Sequence, residues 1–379
     1  MGEQRERIRL LDILRGFAIL GTLGTNIWIF AYLGDLSYIT TYAYTEWRTA
    51  NDLLRMIVLF LVNGKLLGLL TIMFGAGMEL KYRQSKRKNL SWPGGYMWVL
   101  LFLGLEGLLH FIFVLEYDIL MSYAVTGIIA AYIVKRGDRL ISITMKWIGS
   151  VVAFLMLAVL ALGLLGANMS LGSFDEVAIL YQNGTWLEQV QYRLTNFLPL
   201  RSEAILVIPS NVFLFLLGVR LMRAGVFAPG AQGKKHRRKL FQLGIYVGVP
   251  LNLLIFIPGG AFDLPVRYLF APILSLGYIA VIGHLIQWKK CEWLWKLLEN
   301  AGKMSLSCYV IQNIISATIF YGWGLALGGK LNSLAITAVW LCICSFLLVF
   351  ATLWLLRFKL GPLEMLRRSA IAVFTSRSR

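Results

Sequence analysis

The sequence predicts an all-α fold, a polytopic membrane bundle of about ten transmembrane helices with both termini in the cytoplasm. Three observations predict it. Hydrophobic side chains make up 58% of the 379 residues against 15% charged, and the mean hydropathy is +0.69, far above an ordinary soluble domain. The apolar residues fall in stretches long enough to span a bilayer, and Lys and Arg collect in alternate loops between them. The composition excludes a disordered chain, and four scattered cysteines exclude a disulfide framework or a paired-cysteine zinc site.

A helix must satisfy its own backbone polar groups in hydrocarbon, which takes about 20 mostly apolar residues. Such stretches run from Leu10 to Leu33, Leu53 to Glu79, Tyr96 to Leu115, Ile119 to Val134 and Trp147 to Ala167. They continue from Glu203 to Met222, Leu240 to Ile257, Tyr268 to Trp288, Met304 to Leu325 and Leu334 to Leu356. Only Glu116-Tyr117-Asp118 separates the third and fourth, which makes them a tight hairpin. The first stretch is long, contains Asp12 and Arg15 and lacks a small-residue cleavage site, so it is expected to stay in the mature protein.

Basic residues retained on the cytoplasmic side orient such a bundle. They cluster at Arg5, Arg7 and Arg9, at Lys81 to Lys88, at Lys135 to Lys146, at Arg220 to Lys239, at Lys289 to Lys303 and from Arg357 to Arg379. The opposite loops hold Arg48, Arg193, Arg201, Arg267 and Lys330. The formal charge of +18 is therefore explained by topology and by anionic lipid headgroups, not by nucleic acid. The expected organisation is an N-terminal bundle over residues 1–229, a basic cytoplasmic linker over 230–239 and a C-terminal membrane domain over 240–379. Residues 168–202 form the largest segment outside the spans. Val177, Leu180, Tyr181, Leu187, Val190 and Leu194 there suit a surface-lying amphipathic helix over a cavity mouth, or a simple connecting segment. No internal repeat stands out.

Ionisable residues at membrane depth are costly and point to the interior. Glu106 and His110 are four residues apart on the third span and share a face, which lets the carboxylate orient the imidazole as a general base. The plain alternative is a satisfied helix-to-helix polar contact. Asp118 lies just beyond, so a cavity there would open outward. Lys65, within Asn63-Gly64-Lys65, either pairs with Glu106 or meets an anionic group of a substrate. Asn26 is placed to stabilise an oxyanion or to bond another helix. Asp12 and Arg15 are expected to form a structural ion pair, while Arg55, Glu79, Arg201 and Arg267 sit at span ends where their heads can snorkel. Cys291, Cys308, Cys342 and Cys344 match no metal motif and read as small apolar residues; no metal site is expected.

Several ordered blocks resemble the YeiB-like membrane proteins, whose C-terminal part is catalogued as DUF418. They are Arg7 to Gly21 with Asn26, Gly64-Lys65 with Met73 to Met78, and Gly107 to His110 with Asp118, Ile119, Leu120 and Tyr123. The C-terminal blocks are Gly302 to Leu306, Tyr309, Gln312, Phe320-Tyr321-Gly322 and Phe358 to Glu364. The resemblance implies a bacterial cytoplasmic (inner) membrane protein distantly related to transmembrane acyltransferases, including the lysosomal enzyme that acetylates glucosamine on heparan sulfate. Such enzymes take an acyl group from cytoplasmic acyl-CoA and deliver it across the membrane. That enzyme's catalytic histidine follows its first helix, whereas Asp35 to Asp52 contains none here, which leaves His110 as the replacement.

The expected function is thus acyl transfer from acyl-CoA to an envelope glycan, lipid or small molecule. His110 would be the base, with Glu106 orienting it and Asp118 at the mouth, and Asn26, Lys65, Tyr123, Gln312 and Tyr321 would bind substrate. A transporter or exporter of a small metabolite is the alternative, and a structural or sensory protein a weaker third. Expected partners are the bilayer and the acceptor; a homodimer is left open.

Overall fold

The computed structural model describes residues 8–42, 49–167, 174–288 and 291–376. Arg5, Arg7, Arg48, Lys289, Lys290, Arg377, Arg379 and the beginning of the 168–202 segment lie outside the described residues. The described chain is helical with no strand. The elements are α1 (Arg9–Ala31), α2 (Ala50–Val62), α3 (Lys65–Arg87), α4 (Gly95–Phe113), α5 (Leu120–Lys135) and α6 (Asp138–Leu164). They continue with α7 (Asp175–Asn183), α8 (Trp186–Thr195), α9 (Phe197–Leu200), α10 (Ala204–Arg223), α11 (Ala231–Leu243) and α12 (Val249–Leu253). The last are α13 (Asp263–Pro265), α14 (Ala271–Leu285), α15 (Glu292–Lys303), α16 (Ser305–Phe320), α17 (Ser333–Arg357) and α18 (Pro362–Ser376).

Each predicted apolar stretch falls on helix. Among the described residues, eight helical segments are long and apolar enough to cross a membrane. Two more apolar helices, α5 and α16, are shorter at 16 residues each. α1 is the axis of the bundle: 83% of its apolar window is buried, against 11% for α6, so α6 presents its side chains to lipid. α1 packs on α3, α15 and α16, and α3 packs on α10. The α3–α10 contact is backbone to backbone, because a Cβ on Gly218 would lie 2.1 Å from the Ile72 carbonyl oxygen and one on Gly75 2.0 Å from that of Phe215. Small residues at such a crossing let dispersion and weak polar contacts act at close range in lipid.

Three of the spans are interrupted, each for a local reason. The second breaks into α2 and α3 at Asn63-Gly64, where Gly64 has φ +75°, a conformation that costs a Cβ-bearing residue. Wide π-type turns at Gly244–Gly248 and Val266–Phe270 each come just before a proline, Pro250 and Pro272. The ring displaces the carbonyl four residues earlier and removes a donor, so the helix widens.

The basic clusters described by the structure share one end of the bundle, here called the basic end. Arg223 joins Glu79 (2.8 Å) and Asp138 (2.5 Å) there, and Arg83 joins Glu79 at 2.9 Å. The stretch 230–239, expected as a linker, is helical from Ala231 onward and runs without a gap through the π-type turn into α12. Its Arg237 is turned inward, donating to the carbonyls of Val226 (2.6 Å) and Ala228 (2.9 Å). The basic tail also folds back, as α18, onto α4 and α16. Glu364 accepts from the backbone N–H groups of Leu306 (2.9 Å) and Ser307 (3.4 Å), capping the start of α16.

At the opposite end, α7, α8 and α9 form a cap. Of the apolar face predicted for this segment, Tyr181 and Val190 are buried, whereas Leu187 is 67% and Leu194 52% exposed. Of the two readings left open for this segment, one amphipathic helix or a simple connector, neither describes it: short helices turn at Gly184 and Asn196, so the 3.6-residue phase is not carried through.

Candidate functional site

Two cavities lie toward the two ends of α3. At the basic end, a cavity of about 1240 Å³ is bounded by the last turns of α3, the start of α4, and α11. Its wall carries Arg9, Lys81, Arg83, Arg87, Lys88, Lys234 and Arg237, and among the described residues no Asp or Glu. Trp92 and Tyr96 also line it, stacked with ring centroids 5.0 Å apart. The second, a polar chamber of about 100 Å³, lies between α1, the first turns of α3, the Glu116-Tyr117-Asp118 turn, α10 and the turn before α14. Asn26, Asn63, Tyr117, Asp118, Glu203 and Arg267 are on its wall. The layer of α3 between the two cavities is packed: Ile72, Met73, Gly75 and Ala76 are buried.

Asp118 is the hub on the chamber's side. Its Oδ1 is 3.1 Å from His110 Nδ1 and accepts from the Tyr309 hydroxyl at 3.3 Å. Its Oδ2 accepts from Met121 N–H at 3.1 Å, which fixes the start of α5. Arg201 donates to the Asp118 carbonyl (2.8 Å) and to Ser122 Oγ (2.8 Å). His110 is 3% exposed and its Nε2 lies 3.2 Å from Asn313 Nδ2, so the ring stands behind Asp118 between α4 and α16 and is not on the chamber wall. Asn313 Nδ2 can donate to Nε2, while Nδ1 faces Asp118 without a formed hydrogen bond among the described residues.

The Glu106–His110 pair expected from helical spacing is not formed. Glu106 points to the basic end, where its Oε2 is 3.6 Å from Arg367 Nη1 of α18. Shared phase on a helix places two side chains on one face, but the neighbours at each level differ: α18 meets α4 one turn below, and the hairpin turn meets it at His110. Gly107 makes the second approach feasible, since a Cβ there would lie 2.5 Å from Met121 N and 2.8 Å from Asp118 Oδ2.

The other predicted site residues scatter around this hub. Asn26 lines the chamber. Lys65 is fully buried at the start of α3 and does not pair with Glu106; its Nζ has no hydrogen-bond partner among the described residues and lies 5.6 Å from the Phe60 ring centroid. Tyr123 is sealed below the chamber, its hydroxyl 2.7 Å from Thr71 Oγ1. Gln312 is buried, and neither of its amide atoms has a hydrogen-bond partner among the described residues. Tyr321 stacks on Tyr181 at 4.5 Å under the cap, away from the chamber wall. Asp12 and Arg15 do pair, at 3.7 Å.

The residues expected to snorkel are turned inward. Arg55 is 2% exposed beside Asp52 (3.4 Å), and Glu79 is 3% exposed between Arg83 and Arg223. Arg201 holds the hairpin and Arg267 lines the chamber. Among the cysteines, Cys308 is buried but Cys342 is exposed on the lipid-facing α17. Glu116, read only as a turn residue, anchors the cap. It is 0% exposed, accepts from the Tyr181 hydroxyl at 2.6 Å and lies 3.5 Å from Arg193 Nε. Burial and the facing Glu116 carboxylate push the Tyr181 phenol well above its usual range, which keeps it a donor. The available signal for this cluster was a carboxylate in a three-residue turn opposite a segment carrying arginines of its own.

Residues 221–373 match the family described as protein of unknown function DUF418. The chain is 26% identical over 391 residues to "Uncharacterized protein YxaH" of Bacillus subtilis (strain 168), covering 96% of this chain and 94% of that one. It is 28% identical over 393 residues to "Uncharacterized protein YeiB" of Escherichia coli (strain K12), covering 96% of both. An "Uncharacterized 39.9 kDa protein in amylase 3'region" of Bacillus acidopullulyticus is 24% identical over 381 residues, covering 96% of this chain. With eight helical segments among the described residues long and apolar enough to cross a membrane, and similarity to these proteins spanning nearly the whole chain, the protein is a multi-pass membrane protein that is similar end to end to YeiB and YxaH and matches the DUF418 model over residues 221–373.

Proposed function

We propose that the protein is a transmembrane acyltransferase of the bacterial inner membrane, with the basic end in the cytoplasm. The observation that carries this reading is the pair of cavities at the two ends of α3, the larger one lined by cations and a stacked aromatic pair. Clustered Lys and Arg beside aromatic faces suit the phosphates and adenine of an acyl-CoA, and a site of this size takes a large cofactor. The chamber takes the acceptor, whether glycan terminus, lipid headgroup or small molecule.

The titratable group on the chamber wall within the hub is Asp118. In this reading it takes the proton from the acceptor hydroxyl or amine, while His110 and Tyr309 behind it are positioning residues. The acceptor atom attacks the thioester carbonyl, the C–S bond breaks, and the coenzyme leaves as a thiolate that regains a proton. Asn26 at the wall is a donor for the oxyanion. The thioester arm has to pass the Ile72–Ala76 layer, so transfer requires that layer to open.

The test uses the full chain in lipid nanodiscs. Coenzyme A should bind and raise the melting temperature, Arg87→Gln with Lys88→Gln should weaken that binding at least tenfold, and Asp118→Asn should abolish acyl transfer followed by mass spectrometry. Absence of coenzyme A binding would refute the proposal. A second reading, transport of a small solute, is favoured by the break between α2 and α3 with a buried lysine beside it, since broken helices line solute sites at mid-membrane. Solute flux in proteoliposomes without any acyl donor, and no acylated product, would select it.

A further inference from the structure

We infer that the strap of residues 33–42, which follows α1, is the lid of the chamber, and that Thr41 is the pin that holds it shut. This rests on the assignment of the chamber as a ligand site and names what controls entry to it.

The chamber holds about 100 Å³, well below the roughly 300–1,000 Å³ of sites that enclose a drug-sized ligand. As it stands it is closed, and a wall has to move before an acceptor fits. Most of the walls are fixed. α1 and α14 pack on α3, and α3 meets α10 backbone to backbone at Gly218. The hairpin turn is held by Arg201, which donates to the Asp118 carbonyl and to Ser122 Oγ, and by the bond of Glu116 to Tyr181 of the cap. The strap is lighter. Its helical content is one 3₁₀ turn, Leu36–Ile39, and among the described residues it reaches the chamber wall with Leu36 alone.

The chain leaves α1 through Leu33 at φ +57° and Gly34 at φ +89°. The left-handed region disfavours a leucine, so this hinge is kept in place by what the strap grips further on. Two of its holds are long hydrogen bonds: Tyr117 donates to the Gly34 carbonyl at 3.4 Å and Asn63 to the Ile39 carbonyl at 3.3 Å. Thr41 is held far more firmly. It is 0% exposed, and its N–H and hydroxyl donate to the two carboxylate oxygens of Asp263 at 2.6 and 2.9 Å. The same hydroxyl accepts from Gly260 N–H at 3.0 Å, and the Thr41 carbonyl accepts from Gly259 N–H at 3.1 Å. Bonds to an ionised carboxylate are the strong kind, so this one residue fastens the strap to the turn before α13. Leu36 lies between the hinge and the pin. Release of Thr41 lets it leave the chamber wall by a local opening that repacks none of the core helices.

The test is the rate at which iodoacetamide alkylates a Ser210→Cys thiol in the full chain in phosphatidylcholine nanodiscs, read on its own peptide by mass spectrometry so that the native cysteines stay in place. Ser210 lines the chamber and is 7% exposed. Cys308, 0% exposed and not on the chamber wall, reports general unfolding in the same sample. With Thr41 in place the Ser210→Cys thiol should react slowly. Adding Thr41→Val keeps the side-chain shape but removes the hydroxyl's bonds to Asp263 and Gly260, and should speed alkylation at least about tenfold, the weight of one buried hydrogen bond. Adding Thr41→Ser instead, which keeps the hydroxyl, should leave the rate where it was, and Cys308 should react equally slowly in all three proteins. The inference is overturned if the Ser210→Cys thiol reacts like a free thiol with Thr41 in place, if Thr41→Val leaves its rate unchanged, or if Cys308 speeds up in proportion. Alkylation needs neither coenzyme A nor acceptor, so the lid and the acyltransferase reading fail separately.

Discussion

Replacing Arg193 with Met tests how the cap is held. Arg193 and Glu116 side chains are 1% and 0% exposed, 3.5 Å apart, and Arg193 also donates to Tyr181 Oη at 3.3 Å and to the Ile112 carbonyl at 2.8 Å. Met fills much of the volume, so packing is largely retained. What is lost is, among the described residues, the one cation beside this buried carboxylate, which is left there with Tyr181 as its donor. Removing one member of a buried pair costs about 3–5 kcal/mol. Adding Glu116→Gln removes the stranded charge and should recover about 1–3 kcal/mol of the loss, the usual range for coupled neighbours. The assay is reversible unfolding in mixed micelles titrated with dodecyl sulfate, with tryptophan fluorescence and helicity as two probes. A cost for Arg193→Met below about 1 kcal/mol, or a double variant no more stable than the single one, would refute the argument.

Gly64→Ala should destabilise the chain by about 1–3 kcal/mol, from the positive φ and from the contact with the Arg267 carbonyl; the same unfolding titration measures it, and a neutral result would mean that the break is not set by this glycine. Gly218→Val should separate α3 from α10, because even its Cβ would sit 2.1 Å from a backbone oxygen. A loss of monodisperse protein, or a drop in stability of more than about 3 kcal/mol, is expected. Glu299 gives a pH signature: burial works against its charged form, but Lys303, Lys296 and Arg9 outweigh it and hold its carboxyl below the usual range. A depressed carboxyl adds stability that is present above its unfolded pKa, about 4.3, and is lost as pH falls through the folded value. The melting-temperature gap between wild type and Glu299→Gln should therefore be constant near neutrality and close on acidification below pH about 4; a gap that persists in acid would contradict it.

The membrane architecture was legible because burying a backbone in hydrocarbon leaves a signal in every residue of a span, and each predicted stretch falls on helix. The site was legible only in part. Helical spacing put Glu106 and His110 on one face, yet it carries no information on which neighbour stands at each level. The distinction between Arg367 and Asp118 as partners depends on where α18 and the hairpin turn pack. Asn26 and Asp118 could be placed near a cavity because their depth along the first span and the hairpin is readable. Arg201 and Arg267 could not, since a cation near a span end has the same sequence signature whether it snorkels outward or bonds inward. The 230–239 stretch looked like a linker because its glycines and charges mask a helix whose inward face is held by one buried arginine, Arg237.

Glu116, Tyr117 and Asp118 follow one another in a single short turn, and each grips a different part of the molecule: the cap, the chamber wall and the buried histidine. A turn with three such attachments couples them, so a displacement of Asp118 is transmitted through Glu116 to the cap. A fluorescent label on the exposed Leu187 side of the cap would then test whether a displacement at Asp118 is felt at the far side of the turn.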